Sequence, residues 1–190
     1  METKLKRIAE VAKAKPNERF TSLAHLVNEK MLVECHYEMD EKKAPGVDKV
    51  TKGEYEKNLM SNIQDLVGRM KRNAYKPQPV RRTYIPKQDK GKMRPLGIPG
   101  YEDKLVQAAI AKILIAIYEA DFLNCSYGFR PGRSCHQALR ELNYIIEKRK
   151  TRYVVEADIK GFFDHVDHKW MMKFVAHRIA DPNIQRIIKN

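Results

Sequence analysis

The run Tyr153-Val-Val-Glu-Ala-Asp158 delivers an aspartate at the end of an apolar stretch, and Ile-Lys-Gly-Phe-Phe163-Asp164 follows it. A strand ending this way would hold a hard carboxylate oxygen at the lip of a site, where Mg2+ and phosphate groups can meet. Phosphate chemistry commonly uses two metal ions about 3.5–4 Å apart, and one aspartate cannot hold both. The competing reading is that Asp158 caps a turn, a routine place for aspartate. The second chemical feature is cationic. Between Arg69 and Arg94 lie ten basic residues, Arg69, Lys71, Arg72, Lys76, Arg81, Arg82, Lys87, Lys90, Lys92 and Arg94, against the single acid Asp89. Tyr75 and Tyr84 are interleaved with them. Cations neutralise phosphates and release counterions, and aromatic rings stack on unpaired bases. The bland alternative is a solvated charged face.

These groups need elements to carry them. Apolar residues at Val80, Tyr84 and Ile85 before the turn-rich Lys87-Gln-Asp-Lys-Gly-Lys-Met-Arg94 predict a hairpin over about 79–98, which would aim several cations at one place. A strand over 152–158 would carry Asp158. Helices are predicted over 1–17, ending near Pro16, and from a cap at Thr21 or Ser22 to about Met39. Further helices run from Thr51, with Glu54 at capping-box spacing, to about Arg72, from Asp103 to about Ala120, from Ser134 to about Lys150, and from His168 to about Ile179. In the Asp103 helix Leu105, Ala109, Ile113 and Ile117 form one stripe, widened by Val106, Ile110 and Leu114. In the Ser134 helix Ala138, Leu142, Ile145 and Ile146 are expected to face inward.

Composition bounds the partners. The 190 residues hold 37 Lys plus Arg against 24 Asp plus Glu, a formal charge of +13, and 43% apolar residues. That is a globular chain with a basic surface, suited to nucleic acid. The run Ile110–Tyr118 is too short to cross a bilayer, so no membrane partner is expected, and the charged start leads into no signal peptide. Cys35, Cys125 and Cys135 form no CxxC pair, which fits a reducing, cytoplasmic setting. His165 and His168 lie near Asp164 and Asp167 without a further ligand cluster, so zinc is not expected.

Asp158-Ile-Lys-Gly-Phe-Phe-Asp164 resembles the first catalytic-aspartate motif of reverse transcriptases, in the form used by bacterial group II intron-encoded proteins. Four further blocks resemble successive fingers and early palm blocks of that family in the right order: Lys43-Ala-Pro-Gly-Val-Asp48, Ile85-Pro-Lys87, Arg94-Pro-Leu-Gly-Ile-Pro99 and Ser126-Tyr-Gly-Phe-Arg-Pro-Gly-Arg-Ser134. Arg19-Phe-Thr-Ser-Leu23 is similar to its N-terminal extension. The extension and the Ala-Pro-Gly-Val-Asp block favour the intron type over retron-like elements.

The resemblance implies an α+β fold. A helical N-terminal extension (1–40) would precede fingers with a basic β-hairpin (41–125), and 126–190 would be the remaining fingers and the first part of an incomplete antiparallel palm sheet. It implies RNA-directed DNA polymerisation by a two-Mg2+ mechanism in a longer parent, with maturase binding of its own intron RNA. Asp158 and the backbone carbonyl of Ile159 would bind Mg2+, and Lys87 and Arg94 would hold the dNTP triphosphate. Phe163 would gate against a 2′-hydroxyl, with Phe162 as its neighbouring candidate and at least one of the two in the core. Lys90 or Gly91 is one residue more than the compact form of this turn carries. Arg69, Lys71, Arg72, Lys76, Arg81, Arg82, Lys90 and Lys92 are the candidate RNA contacts. Arg130 and Arg133 face either the template or nucleotide, or core carboxylates.

No Pro-Gln-Gly block and no Tyr-Ala-Asp-Asp block occurs in the sequence. These residues alone are therefore expected to bind RNA without polymerising. The partners would be group II intron RNA, an RNA template with its DNA primer, and dNTP. A homodimer is expected where a palm cut short exposes apolar surface. The competing class is a non-catalytic basic module that binds RNA and assists splicing.

Overall fold

The computed structural model describes residues 2–86, 91 and 93–190. In chain order the elements are α1 (Glu2–Ala14), α2 (Glu29–Glu38), α3 (Lys52–Glu56), α4 (Leu59–Lys71), β1 (Arg81–Pro86), β2 (Met93–Ile98), α5 (Tyr101–Tyr118), α6 (Cys135–Lys148), α7 (His168–Arg178) and α8 (Pro182–Lys189). The α+β class is as expected.

Helix α5 is the centre. Leu105, Ala109, Ile113 and Ile117 are fully buried, Val106 and Ile110 nearly so, and α1 and α2 pack against the helix. The capping box at Thr51 forms as its spacing predicts: Thr51 N–H donates to Glu54 Oε2 at 2.8 Å, and Glu54 N–H donates to Thr51 Oγ1 at 3.3 Å. The helix it opens is broken after Glu56. Asn62 Nδ2 satisfies the Tyr55 carbonyl at the break, and α4 restarts at Leu59.

The helix expected from Thr21 or Ser22 starts later. A 3-10 turn at Ala24–Leu26 precedes α2, whose cap is Asn28, accepting from Met31 N–H at 3.1 Å. The cause is distant in sequence: Asp181 Oδ2 takes the amides of Leu23 (2.6 Å) and Ala24 (2.8 Å). Its other oxygen caps α8 through Asn183 and Ile184. One carboxylate thus ends two helical segments. The apolar spacing survives the shift, since Leu23, Leu26, Val27, Met31 and Cys35 are all buried.

Residues 178–184 close this core. Phe20 and Ile179 form a parallel bridge, and Ile179 and Ile184 are fully buried. Arg178, also buried, pairs with Asp121 at 3.1 Å and donates to the carbonyls of Pro16 and Ala12.

Two further expectations fail. Helix α6 forms, with Ser134 and Gln137 as a capping box, but it has no buried residue; Leu142 and Ile146 are exposed rather than inward. The strand expected over 152–158 does not form: residues 151–159 have no regular structure, and Tyr153, Val154 and Val155 are exposed. A strand needs a neighbour for its ladder. Among the described residues the only sheet is the antiparallel pair β1–β2, so no palm sheet is assembled.

Candidate nucleic-acid interface

The basic hairpin stands on the N-terminus of α5. Tyr75 O–H donates to Asp103 Oδ1 at 2.6 Å and Gln78 N–H to Asp103 Oδ2 at 3.0 Å, which fixes the approach to β1. On the β2 side, Tyr101 N–H donates to Asp48 Oδ2 at 2.9 Å. Glu102 receives Arg69 through Nη2 at 2.7 and 2.9 Å and Tyr55 O–H at 3.4 Å. Burial first, then the Asp103 carboxylate, pushes the Tyr75 hydroxyl pKa well up, so it stays a donor. Tyr101 is raised to about 12, chiefly by burial. Its hydroxyl meets Nδ1 of the fully buried His36 at 2.8 Å. Burial lowers the His36 pKa, which keeps that ring neutral.

Beyond this root the arm is bare. The register pairs Arg81 with Ile98, Thr83 with Leu96 and Ile85 with Arg94. Side chains alternate across a strand, so Arg81 and Arg94 share one face while Arg82 and Tyr84 lie on the other. All four are exposed. Arg81 Nε donates to the Pro45 carbonyl at 3.0 Å. Arg82 and Arg94 meet no carboxylate among the described residues. Lys87, Lys90 and Lys92 lie outside the described residues. Gly91, in the turn, has φ +84°, the left-handed region that glycine enters without strain.

The remaining candidates divide. Lys71, Arg72 and Lys76 are exposed, and Lys71 lines a cavity of about 430 Å3 with Arg186, His25 and Asn28. Arg69 is already committed to Glu102 and to Asp65 at 2.7 Å, so it braces the root rather than offering a free charge. Burial disfavours its charge, but those carboxylates outweigh it and raise the Arg69 pKa. Arg130 is paired with a carboxylate. It is buried, with Nη2 at 2.7 Å from Glu119, Nη1 donating at 2.8 Å to the carbonyls of both Leu123 and Ser126, and the Phe122 ring beneath it. Hydrogen bonds from Arg130 lower the Glu119 pKa. Arg133 is half-buried over the Tyr127 ring.

Asp158, Ile159 and Phe163 sit together on the exposed stretch after α6. Phe162 and Phe163 touch edge to face with centroids 5.5 Å apart, and neither enters the core, contrary to expectation. Among the described residues no group of three His, Cys, Asp or Glu side chains could hold a metal ion. One carboxylate and one carbonyl do not fill the six oxygen positions of Mg2+. Among the described residues the donor set therefore does not make a metal site by itself. No described helix is long and apolar enough to cross a membrane.

Sequence reasoning missed the residues that build the root and close the core. Asp48 read as part of a turn, Asp103 as a helix start, and Arg178 carried no local signal. Asp103 and Asp181 lie inside or just before a helical first turn, which marks a cap but not its distant partner.

Residues 85–190 match the family described as reverse transcriptase (RNA-dependent DNA polymerase). The chain belongs to the reverse transcriptase family. It is 40% identical over 147 residues to Protein YkfC of Escherichia coli (strain K12), covering 76% of this chain and 38% of that protein. It is 45% identical over 126 residues to Group II intron-encoded protein LtrA of Lactococcus lactis subsp. cremoris, covering 66% of this chain and 21% of that one. Nuclear intron maturase 1, mitochondrial, of Arabidopsis thaliana is 29% identical over 94 residues, or 48% and 13%. The chain thus spans well under half the length of these relatives. Among reverse transcriptases it groups with the group II intron and maturase branch. The matched residues include β2, α5 and the Asp158 stretch.

Proposed function

We propose that this chain is the fingers and first palm portion of a bacterial, cytoplasmic group II intron reverse transcriptase, and that its 190 residues bind intron RNA through the basic hairpin. The observation that carries the reading is the contrast within the hairpin: a root locked by Asp48 and Asp103, and an arm whose Arg82 and Arg94 meet no described carboxylate. A stiff root presents cations without an ordering cost at each encounter, and guanidinium forks grip phosphate oxygens in pairs. Measured by fluorescence anisotropy with a single-stranded RNA, affinity is expected to fall steeply with salt. Arg82→Ala and Arg94→Ala should each reduce the slope by about 0.7. Affinity independent of salt would overturn the reading.

In a longer protein containing this segment, the reaction would be attack of a primer 3′-hydroxyl on the α-phosphate of a dNTP. There Arg94 and Lys87 would hold the triphosphate, Phe163 would exclude ribose, and Asp158 with the Ile159 carbonyl would contribute part of a Mg2+ site whose other ligands come from elsewhere. Asp158→Ala in such a protein should abolish DNA synthesis and leave RNA affinity within about twofold, since the residue carries no positive charge for phosphate. Surviving synthesis would favour the competing reading, a module that binds RNA and assists splicing without polymerising. The exposed apolar side chains after α6 are a further reason to expect self-association, which sedimentation of the isolated chain would reveal.

A further inference from the structure

The hairpin cannot orient itself by packing. Along both strands only Ile98, the last residue of β2, is buried. Its direction must therefore come from whatever holds the two strand roots. Asp103 holds the entry to β1, as described. The exit from β2 is held by the loop Ala44-Pro-Gly-Val-Asp48, which touches three parts of the molecule at once. The Pro45 carbonyl accepts from Arg81 at the start of β1. The Ala44 carbonyl accepts from Lys104 Nζ on α5. Asp48 spans Val50 N–H (3.2 Å) and Tyr101 N–H (2.9 Å), the first residue of α5. Gly46 lies against the joint between β2 and α5: a Cβ there would fall 2.5 Å from the Pro99 carbonyl oxygen and 2.6 Å from Gly100 Cα. No side chain fits that gap without moving backbone, and a Cβ at Gly100 would come within 3.0 Å of Asp48 Oδ2.

We propose that the 44–48 loop is the clamp that aims the basic hairpin, with Asp48 as a positioning residue acting through β1 and β2 on Arg82 and Arg94. Asp48 carries negative charge and sits at the root, so it does not itself contact RNA phosphate. Its effect on RNA is indirect. The proposal rests on the RNA-binding reading for its consequence, but the clamp itself is testable without RNA.

The test uses the full 190-residue chain and a single-stranded oligouridine. Asp48→Ala is expected to weaken binding about tenfold, while in an Arg82→Ala, Arg94→Ala background the same change should cost little more, because residues acting through one element are not additive. Asp48→Asn, which keeps one acceptor oxygen, should recover part of the loss. Hydrogen exchange is the second readout: amides of Arg81–Ile85 should exchange faster in Asp48→Ala, with α4 and the part of α5 beyond its first turn unchanged. Should Asp48→Ala fail to fold, Lys104→Gln releases the Ala44 carbonyl from outside the core and should give the same pattern. Full additivity with the arginine changes, or hairpin exchange unaltered in a folded variant, overturns the clamp. If Arg82→Ala and Arg94→Ala leave RNA affinity untouched, the RNA reading fails instead, and hairpin exchange still decides whether the loop positions the arm.

Discussion

Helices α5 and α6 each carry an apolar stripe, in opposite surroundings. Each has aliphatic residues at helical spacing, Leu105, Ala109, Ile113 and Ile117 on one, Ala138, Leu142, Ile145 and Ile146 on the other. The α5 set is fully buried under α1 and α2, whereas α6 has no fully buried residue and leaves Leu142 and Ile146 each 44% exposed. The contrast continues beyond them. Ahead of α5 the chain is locked by Asp48 and Asp103; after α6, Tyr153 and Val155 are each 87% exposed. An apolar stripe states that a helix has a face to bury, and it does not state that the covering surface is part of the same 190 residues. Fully burying a large aliphatic side chain contributes about 1.5–3 kcal/mol, a gain α5 realises several times over and α6 does not.

The largest expected effect tests that difference directly. Ile113→Ala should cost about 2–5 kcal/mol in urea unfolding, the usual toll of a core cavity, whereas Leu142→Ala should cost under about 0.5 kcal/mol. Equal losses would show that α6 has a packed partner in solution.

A smaller effect sharpens the comparison at the seam where residues 178–184 join the core. Burial alone would raise the Asp181 pKa, but four backbone amides, from Leu23, Ala24, Asn183 and Ile184, outweigh it and hold it below the ordinary value. A carboxylate with a depressed folded pKa contributes fully above its unfolded pKa, near ~3.9, and the contribution is lost as pH falls through the folded value. Asp181→Asn, which loses the charge and one of the two acceptor oxygens, should therefore destabilise by about 1.5–3 kcal/mol at neutral pH. The gap to the parent should close as pH drops below about 4. A gap constant down to strong acid would mean the carboxylate charge is not what ties these segments.

How much of this could be read from the sequence follows from the range of each signal. Thr51 and Glu54 are three residues apart and formed the box their spacing predicts. The hairpin and the α5 stripe were equally local and are present. The misplaced start of α2 came from Asp181, some 157 residues away, which takes the Leu23 and Ala24 amides that a local cap would have used. Residues 152–158 have the composition of a strand, but a ladder requires a second chain segment that composition cannot supply. At the candidate interface the cations were legible as a group, while their division was not. Arg69 and Arg130 are spoken for by Glu102 and Glu119, and only the folded arrangement brings those carboxylates within reach.

The smallest expected effect places the same local device in both regions. Thr51 with Glu54 caps α3 against the packed core, and Ser134 with Gln137 caps the bare α6 with matching geometry, each hydroxyl accepting an amide at 3.3 Å. Removing such a cap costs about 0.5–2 kcal/mol in the helix it serves. Whether the whole molecule registers that loss depends on whether the helix unfolds with the rest. Thr51→Ala should lower global stability by about 1 kcal/mol, because α3 carries the buried Tyr55 and cannot fray without opening the α5 root. Ser134→Ala should leave the urea midpoint in place and speed only the exchange of amides in the first turn of α6, since no buried side chain links that turn to the core. If both changes moved the midpoint alike, α6 would belong to the same cooperative unit as α5, joined through the Glu119–Arg130 pair and the loop it holds rather than through apolar burial.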